Sequence, residues 1–321
     1  MGIRFKLVLA IGVPLLVLLT VMLAVDYFAL ESRARKSTED RLQEVARRYA
    51  TGVEGEFRSR AAVARSAATT IENDADLTER GLYQLLRANV EADPLVFGSC
   101  AAFLPGAFPD RLRSPSDSIP IPSAPAQVPV RQPDGLFAPY VYRAALGPGG
   151  QRSLARLDLA QRYDYRAPPW TWFTPPVTSG EESWGEPYLD EGGGEVAMVT
   201  HSHPLRRDGR VVGVVTMDLA LDDLRRSTVA AVPADINLYI ISREGTVVLS
   251  PDLKDLLNAT LGSLQAKYNT PSVAEVARSI KSGEPWAGGV VRLSERDGEP
   301  GYLVNLAHIG GAGWTLLSAI D

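Results

Sequence analysis

The stretch between residues 163 and 221 concentrates the side chains that could do chemistry. Rings and acids are interleaved there: Trp170, Trp172, Phe173 and Tyr188 could surround a cation, and Asp190 and Asp218 could accept its hydrogen bonds. An aromatic face attracts a cation with about 0.5–2 kcal/mol for each good contact. A carboxylate accepts charge-assisted hydrogen bonds from an ammonium group, each contributing about 1.5–3 kcal/mol. This combination predicts a binding site for a small cationic amine.

Two histidines in the same stretch suggest a second kind of chemistry. His201 and His203 are two positions apart on a predicted strand, so both rings should point to one face of the sheet. Two histidines with a nearby aspartate can bind zinc, and a metal-dependent hydrolase is therefore an alternative function. No third ligand stands at a diagnostic spacing, so we expect neither a metal nor a cofactor.

Other classes of function have less support in the sequence. It contains no nucleophile elbow, kinase signature or paired-carboxylate motif, and the glycines at 192–194 lack the Lys-Ser/Thr ending of a phosphate loop. The net charge of −5 gives no indication of a nucleic-acid partner. The single Cys100 excludes an internal disulfide. We therefore expect a binding protein without catalytic residues, not an enzyme.

The N-terminal sequence predicts a membrane anchor. Residues 7–25 carry no charge, and about 20 apolar residues are enough to cross a bilayer core in a helix. Arg4 and Lys6 precede this run and favour a cytoplasmic N-terminus, although basic residues also follow it at positions 33, 35 and 36. A cleaved signal peptide is the alternative. We expect the rest of the chain to lie outside a bacterial inner membrane.

The hydrophobic pattern divides the remaining chain into a stalk and two modules. Apolar residues recur every three or four positions between 42 and 68, which predicts an amphipathic helix that packs on its own domain; a dimeric coiled coil is the alternative. We predict an anchor over 1–28, a stalk helix over 29–70, a membrane-distal ligand-binding module over 71–230 and a membrane-proximal module over 231–321. Each module is expected to have the α+β class, with helices beside an antiparallel sheet.

The predicted elements of the two modules follow the same order. In the first module, helices are predicted over 77–90 and 221–229, and strands over 96–104, 136–144, 196–205 and 210–219. In the second, strands are predicted over 236–242, 246–250, 289–293, 302–307 and 314–320, with helices over 253–267 and 272–281.

The motifs of the central stretch resemble those of double Cache sensor domains, which consist of PAS-like modules. The resemblance rests on Tyr163-Asp164-Tyr165-Arg166, Trp170-Thr171-Trp172-Phe173, the run from Trp184 to Asp190, the run from Val199 to Pro204 and the run from Gly213 to Asp218. Such domains precede bacterial serine phosphatases, histidine kinases and chemoreceptors. The resemblance implies two stacked modules along one long helix, with the ligand in the distal module and the proximal one relaying the signal.

The resemblance also implies a role for each candidate residue. Members that bind amino acids carry a Tyr, an Arg, a Trp-Tyr pair, a Tyr, an Asp and a final Asp. The matching positions here are Tyr165, Trp172-Phe173, Tyr188, Asp190 and Asp218, whereas Trp170 stands where the Arg would clamp the ligand carboxylate. The resemblance therefore implies an amine without a carboxylate. Core packing of Trp170 and Phe173, and a turn at Asp190, are the alternatives.

The implied partners are those of a transmembrane sensor. We expect a small-molecule ligand, the membrane, a second copy in a homodimer and a separate cytoplasmic output protein. The sequence ends where the last strand of the proximal module should finish, with no second membrane helix, so we expect either a truncated sensor or an output partner on a separate chain. An accessory scaffold subunit of a signalling complex is the third interpretation.

Overall fold

The computed structural model describes residues 12–124, 135–146, 152–168, 170–190, 193–230, 232–252, 257–267, 270–294 and 301–320. Three predicted features fall partly outside the described residues. They are the start of the anchor, the first of the glycines at 192–194 and the start of the helix predicted from residue 253. The predicted α+β class is confirmed, with one long N-terminal helix and two antiparallel sheets.

The N-terminal helix α1 runs without interruption from Val13 to Asn73, so the predicted anchor and stalk are parts of one helix. Its length is roughly 90 Å at the standard rise per residue. Its first part has a mean hydropathy of 2.3, and the apolar side chains there are exposed, so this part is long and apolar enough to cross a membrane. The second part carries a buried stripe that includes Leu42, Ala46, Ala50, Val53, Phe57, Ala61, Ala64 and Ala68.

The buried stripe of α1 packs against both sheets, one after the other. Near its start, the Leu42 carbonyl accepts a hydrogen bond from the Ser318 hydroxyl at 3.2 Å. Further along, Arg60 forms an ion pair with Asp93 at 2.8 Å. The five-stranded sheet that contains Ser318 therefore lies nearer the apolar end of α1. The other sheet lies further from that end.

The sheet further from the apolar end has seven strands. Their order is β3-β2-β1-β7-β6-β4, and β5 pairs with the start of β6. Along the chain, helix α2 (Glu79–Ala92) comes before the first strand of the sheet, and α3 (Thr174–Ser179) comes between β3 and β4. Helix α4 (Leu221–Val229) follows the last strand. The strands are β1 (Val96–Phe103), β2 (Pro139–Leu146), β3 (Arg152–Asp158), β4 (Ser183–Trp184), β5 (Tyr188–Leu189), β6 (Ala197–Arg207) and β7 (Arg210–Ala220).

The sheet nearer the apolar end has five strands in the order β10-β11-β12-β8-β9. One face of this sheet packs on α1, and helices α5 (Leu261–Lys267) and α6 (Pro271–Ser282) cover the other. Its strands are β8 (Asn237–Ile241), β9 (Val247–Leu249), β10 (Val291–Leu293), β11 (Tyr302–Ile309) and β12 (Trp314–Ile320).

Candidate functional site

Four of the predicted ligand-binding residues surround one small cavity on the face of the seven-stranded sheet that points away from α1. They are Trp172, Tyr188, Asp190 and Asp218, and the cavity has a volume of about 10 Å³. A volume of about 10–15 Å³ holds one water molecule. The sequence analysis did not identify the remaining lining residues as ligand-binding, and these are Cys100, Tyr140, Leu159, Tyr163 and Thr216.

The register of the central strands brings Asp218 to the floor of this cavity. Successive residues of a strand point to opposite faces, so Thr216 and Asp218 share a face of β7. Asp218 is paired with Thr200 of β6 on one side and with Gly98 of β1 on the other. A Cβ at Gly98 would collide with the Tyr140 ring, which therefore lies directly over the glycine. A glycine at this position allows Tyr140 to approach Asp218.

Asp190 reaches the same cavity from the connection between β5 and β6. Its backbone N–H donates to the Val196 carbonyl at 2.9 Å, and its carbonyl accepts from the Glu195 N–H at 3.0 Å. Asp190 therefore closes a turn, as one alternative predicted, and its side chain also lines the cavity. A Cβ at Gly193 would collide with this carboxyl group, so any residue other than glycine there would displace it.

The two carboxyl groups are buried without complete hydrogen bonding. Asp190 and Asp218 are 2% and 4% exposed, and among the described residues Asp190 Oδ2 and Asp218 Oδ1 have no hydrogen-bond partner. Burial raises the pKa of Asp190 to about 8, and the negative charge of Asp218 contributes to this rise. Burial also raises the pKa of Asp218 to about 7, although the neighbouring hydroxyls of Thr200, Tyr140 and Thr216 oppose that shift. Both groups therefore change charge near neutral pH.

Rings form the opposite wall of the cavity. Trp172 is buried, and its Nε1 has no hydrogen-bond partner in the described part of the chain. The Tyr188 hydroxyl forms a hydrogen bond with Thr200 Oγ1 at 2.9 Å. Trp170 does not line the cavity, but it stacks on Tyr163 with 4.2 Å between ring centroids and meets Tyr188 edge to face at 5.9 Å. Trp170 thus lies in a second layer, behind two rings of the cavity wall.

Tyr165 and Phe173 lie in the core beside the cavity and do not line it. Tyr165 is fully buried, and its hydroxyl donates to the Phe103 carbonyl at 2.6 Å. Phe173 packs edge to face against Tyr165, with 4.7 Å between the ring centroids. The structure therefore brings together four of the seven predicted residues at the cavity, places Trp170 behind them, and uses Tyr165 and Phe173 for packing.

The two histidines lie on the other face of the sheet, beside α1. Glu182 Oε2 is 2.8 Å from His203 Nδ1 and 3.9 Å from His201 Nε2, and Arg65 of α1 lies 3.2 Å from the same oxygen. Burial lowers the pKa of His201 to about 4. Within the described ranges no group of three or more His, Cys, Asp or Glu side chains is arranged to hold a metal ion. Here Glu182 links the sheet to α1.

Comparisons with solved structures agree with this architecture. The extracellular domain of the histidine kinase mmHK1S-Z3 is 20% identical, with a TM-score of 0.66 over 87% of this chain and 92% of that one. The periplasmic sensory domain of the Campylobacter jejuni chemoreceptor Tlp1 is 15% identical, with a TM-score of 0.64 over 89% and 95%. The ligand-binding domain of the Pseudomonas aeruginosa chemoreceptor PctB, in complex with L-Arg, is 17% identical, with a TM-score of 0.55 over 89% and 96%.

The tandem antiparallel sheets along one helix are the architecture of these sensor domains, and the double Cache resemblance inferred from the sequence is confirmed. More specifically, residues 82–226 match the family model of the methyl-accepting chemotaxis protein-like first PDC sensor domain. That segment contains every residue lining the cavity. A search of curated protein sequences finds no match.

Proposed function

We propose that this chain is the extracytoplasmic sensor of a signalling protein anchored in the inner membrane, and that its distal module binds a small cationic amine. The observation that carries the proposal is the pair Asp190 and Asp218. Each has a buried oxygen without a partner in the described residues, and both line the same cavity beside Trp172 and Tyr188. The chain is proposed to signal and not to catalyse.

An ammonium group satisfies all the features of this cavity. Buried carboxylates are costly unless they are paired, and an ammonium group supplies both the charge and several N–H donors. The Trp172 and Tyr188 rings would add cation–π attraction. None of the lining residues that the structure describes is basic, so a ligand carboxylate would find no counter-charge among them. These properties support an amine over an α-amino acid.

Relatives with the same fold bind ligands that share this group. PctB is described with L-Arg, PctC with GABA and the Pseudomonas fluorescens chemoreceptor CtaA with L-serine, each at 17% identity to this chain. All three ligands contain an amino group, which is cationic at neutral pH, and a carboxylate. The proposal for this chain retains the amino group. It drops the carboxylate because Trp170 stands where the clamping arginine is expected.

Binding is proposed to require an expanded form of the cavity. Its volume of about 10 Å³ is too small for any amine, so the rings must separate from the two acids before a ligand enters. A ligand shifts such an equilibrium by its difference in affinity for the two forms. We further propose that two copies pair and that movement along α1 reaches a cytoplasmic output protein.

Calorimetry on the full chain in lipid nanodiscs tests the proposal. The amines are ethanolamine, putrescine and choline, and the matched neutral compound is 3,3-dimethylbutan-1-ol, which has the shape of choline without its charge. We expect saturable heat with at least one amine and none with the neutral compound. Asp190→Asn should weaken binding at least about tenfold, which corresponds to 1.4 kcal/mol. Asp164→Asn, a surface acid paired with Arg166, is the control and should leave the affinity unchanged. Binding of neutral or anionic ligands alone would overturn the proposal.

A further inference from the structure

A second and much larger cavity lies in the five-stranded module. It has a volume of about 460 Å³ and occupies the space between the sheet and helices α5 and α6. Ile241 of β8 and Leu317 and Ala319 of β12 form the sheet wall. Leu261 of α5 and Val276 and Ile280 of α6 form the helix wall. All six side chains are buried.

The size of this cavity is unusual for a protein interior. Interiors are close-packed, and voids larger than a water molecule are few, because the atoms that line a void lose their dispersion contacts. Small-molecule sites, in contrast, typically have volumes of about 300–1,000 Å³ and mainly apolar walls. The cavity between the sheet and α5–α6 falls within that range, whereas the acidic cavity of the distal module has a volume of only about 10 Å³.

The lining residues define the chemistry of an occupant. Among the described lining residues there is no charged side chain, and the polar side-chain groups are the hydroxyls of Tyr239, Ser263 and Tyr302. Tyr302 is 37% exposed, so it marks the point where the cavity meets solvent. A charged molecule would lose its hydration there without gaining a counter-charge. An uncharged molecule with an apolar body and one hydrogen-bonding group suits these walls.

We propose that the five-stranded module binds a second ligand, an uncharged and mainly apolar small molecule taken up from solution. This site is independent of the proposed amine site, since the two cavities share no residue and differ in charge. Its β12 wall belongs to the strand whose Ser318 hydroxyl is bonded to α1 at Leu42. A ligand bound in this cavity is therefore positioned to affect the membrane end of α1 directly, and the effect need not pass through the distal module.

Thermal unfolding of the full chain in nanodiscs, followed by circular dichroism, tests the second site. The probes are hexan-1-ol, hexylammonium and hexanoate, which share a chain length and differ in charge. Hexan-1-ol should raise the melting temperature of the wild type, and the two charged probes should not. Val276→Phe fills the cavity from α6 and should abolish the hexan-1-ol shift. Ala274→Phe, on the exposed face of the same helix, should retain the shift and also reports any effect of hexan-1-ol on the bilayer.

The results that would overturn the second site differ from those that would overturn the amine site. Equal shifts with all three probes, or a hexan-1-ol shift that persists in Val276→Phe, would overturn the second site. If Val276→Phe does not fold, Ala319→Phe fills the same cavity from the sheet side and is scored in the same way. The amines used for the distal module should still bind to Val276→Phe. Failure of the second site is thus separable from failure of the amine site.

Discussion

Glu186 and Ser242 join the two modules through one short hydrogen bond, with the Ser242 hydroxyl donating to Glu186 Oε2 at 2.5 Å. The other carboxyl oxygen accepts from the Glu244 N–H at 3.3 Å. On the distal side, the Glu186 N–H donates to Thr171 Oγ1 at 3.2 Å. Thr171 precedes Trp172, and Glu186 is two residues from Tyr188. One residue, through its backbone and its side chain, therefore connects the segments that carry two rings of the cavity to the turn between β8 and β9.

Replacing Glu186 should separate ligand binding from its effect on the proximal module. In Glu186→Ala, the amine affinity should stay within about threefold of wild type, because Glu186 does not line the cavity. Hydrogen exchange on the wild type should show that an amine changes protection across residues 242–246, and the variant should lose this change. Glu181→Ala, an exposed acid before β4, is the control. An undiminished change in Glu186→Ala would exclude this route.

Asp218→Ala should weaken amine binding by about 1.5–3 kcal/mol, because it removes a charge-assisted hydrogen bond. The fold should persist, since the substitution takes away a buried acid whose Oδ1 lacks a partner in the described residues. Calorimetry gives the affinity, and far-ultraviolet circular dichroism reports the fold. Asp117→Ala, at an exposed position of the same module, should bind as the wild type does. Unchanged affinity in a folded Asp218→Ala would remove Asp218 from the site.

The ligand-free protein should become less stable as the pH rises from about 4 to about 8. The pKa of Asp190 is about 8 in the folded chain, against an ordinary value of 3.8, so between these values the folded state holds a proton that the unfolded state has lost. The corresponding stabilisation is complete below the lower value and disappears as the pH passes the upper one. The rise in the pKa of Asp218 acts in the same direction.

Melting temperatures measured across that pH range check this expectation. The double variant Asp190→Asn with Asp218→Asn should show a flatter profile than the wild type, because neither amide titrates. The measurement uses the ligand-free chain throughout, since an amine would favour the charged carboxylates. A wild-type profile that rises between pH 4 and pH 8, with the variant parallel to it, would contradict the assigned pKa directions.

Trp170→Arg should extend the ligand range to α-amino acids. Trp170 stacks on Tyr163 and meets Tyr188, so a guanidinium at this position would reach the ligand in the proposed expanded form, once these rings have separated from the two acids. Arginine offers two parallel N–H donors that match a carboxylate. Calorimetry with alanine should detect binding in this variant, whereas Trp170→Gln should show none. A folded Trp170→Arg that still ignores alanine would indicate a cavity of a different shape.

Local patterns in the sequence predicted much of the fold. The predicted strands over 196–205 and 210–219 are separated by Arg207-Asp208-Gly209, a sequence typical of a tight hairpin turn, and both Asp208 and Gly209 have the positive φ that the turn between β6 and β7 needs. The strand β3, in contrast, was missed because Arg152 and Arg156 interrupt its apolar pattern. Arg156 lies in the sheet because its guanidinium donates to the Ile121 and Ser116 carbonyls.

The candidate site depends more on contacts that are distant in the sequence. Tyr140 lines the cavity because β2 pairs with β1 in a register that sets it opposite Cys100, and no local pattern fixes that register. Thr216 could have been predicted from the sequence, since it precedes Asp218 by two positions on one strand and therefore points to the same face of the sheet. The small volume of the cavity depends on how rings from several loops pack, which spacing in the sequence does not determine.

Proton release on amine binding tests the central claim most directly. At pH 7, a cation held between Asp190 and Asp218 must lower the pKa of both groups, so protons must leave for the buffer. Calorimetry of the full chain in buffers of different ionisation enthalpy counts those protons. We expect net release in the wild type and none in the double variant Asp190→Asn with Asp218→Asn. Amine binding without proton release, or equal release in the double variant, would contradict a site formed by these two acids.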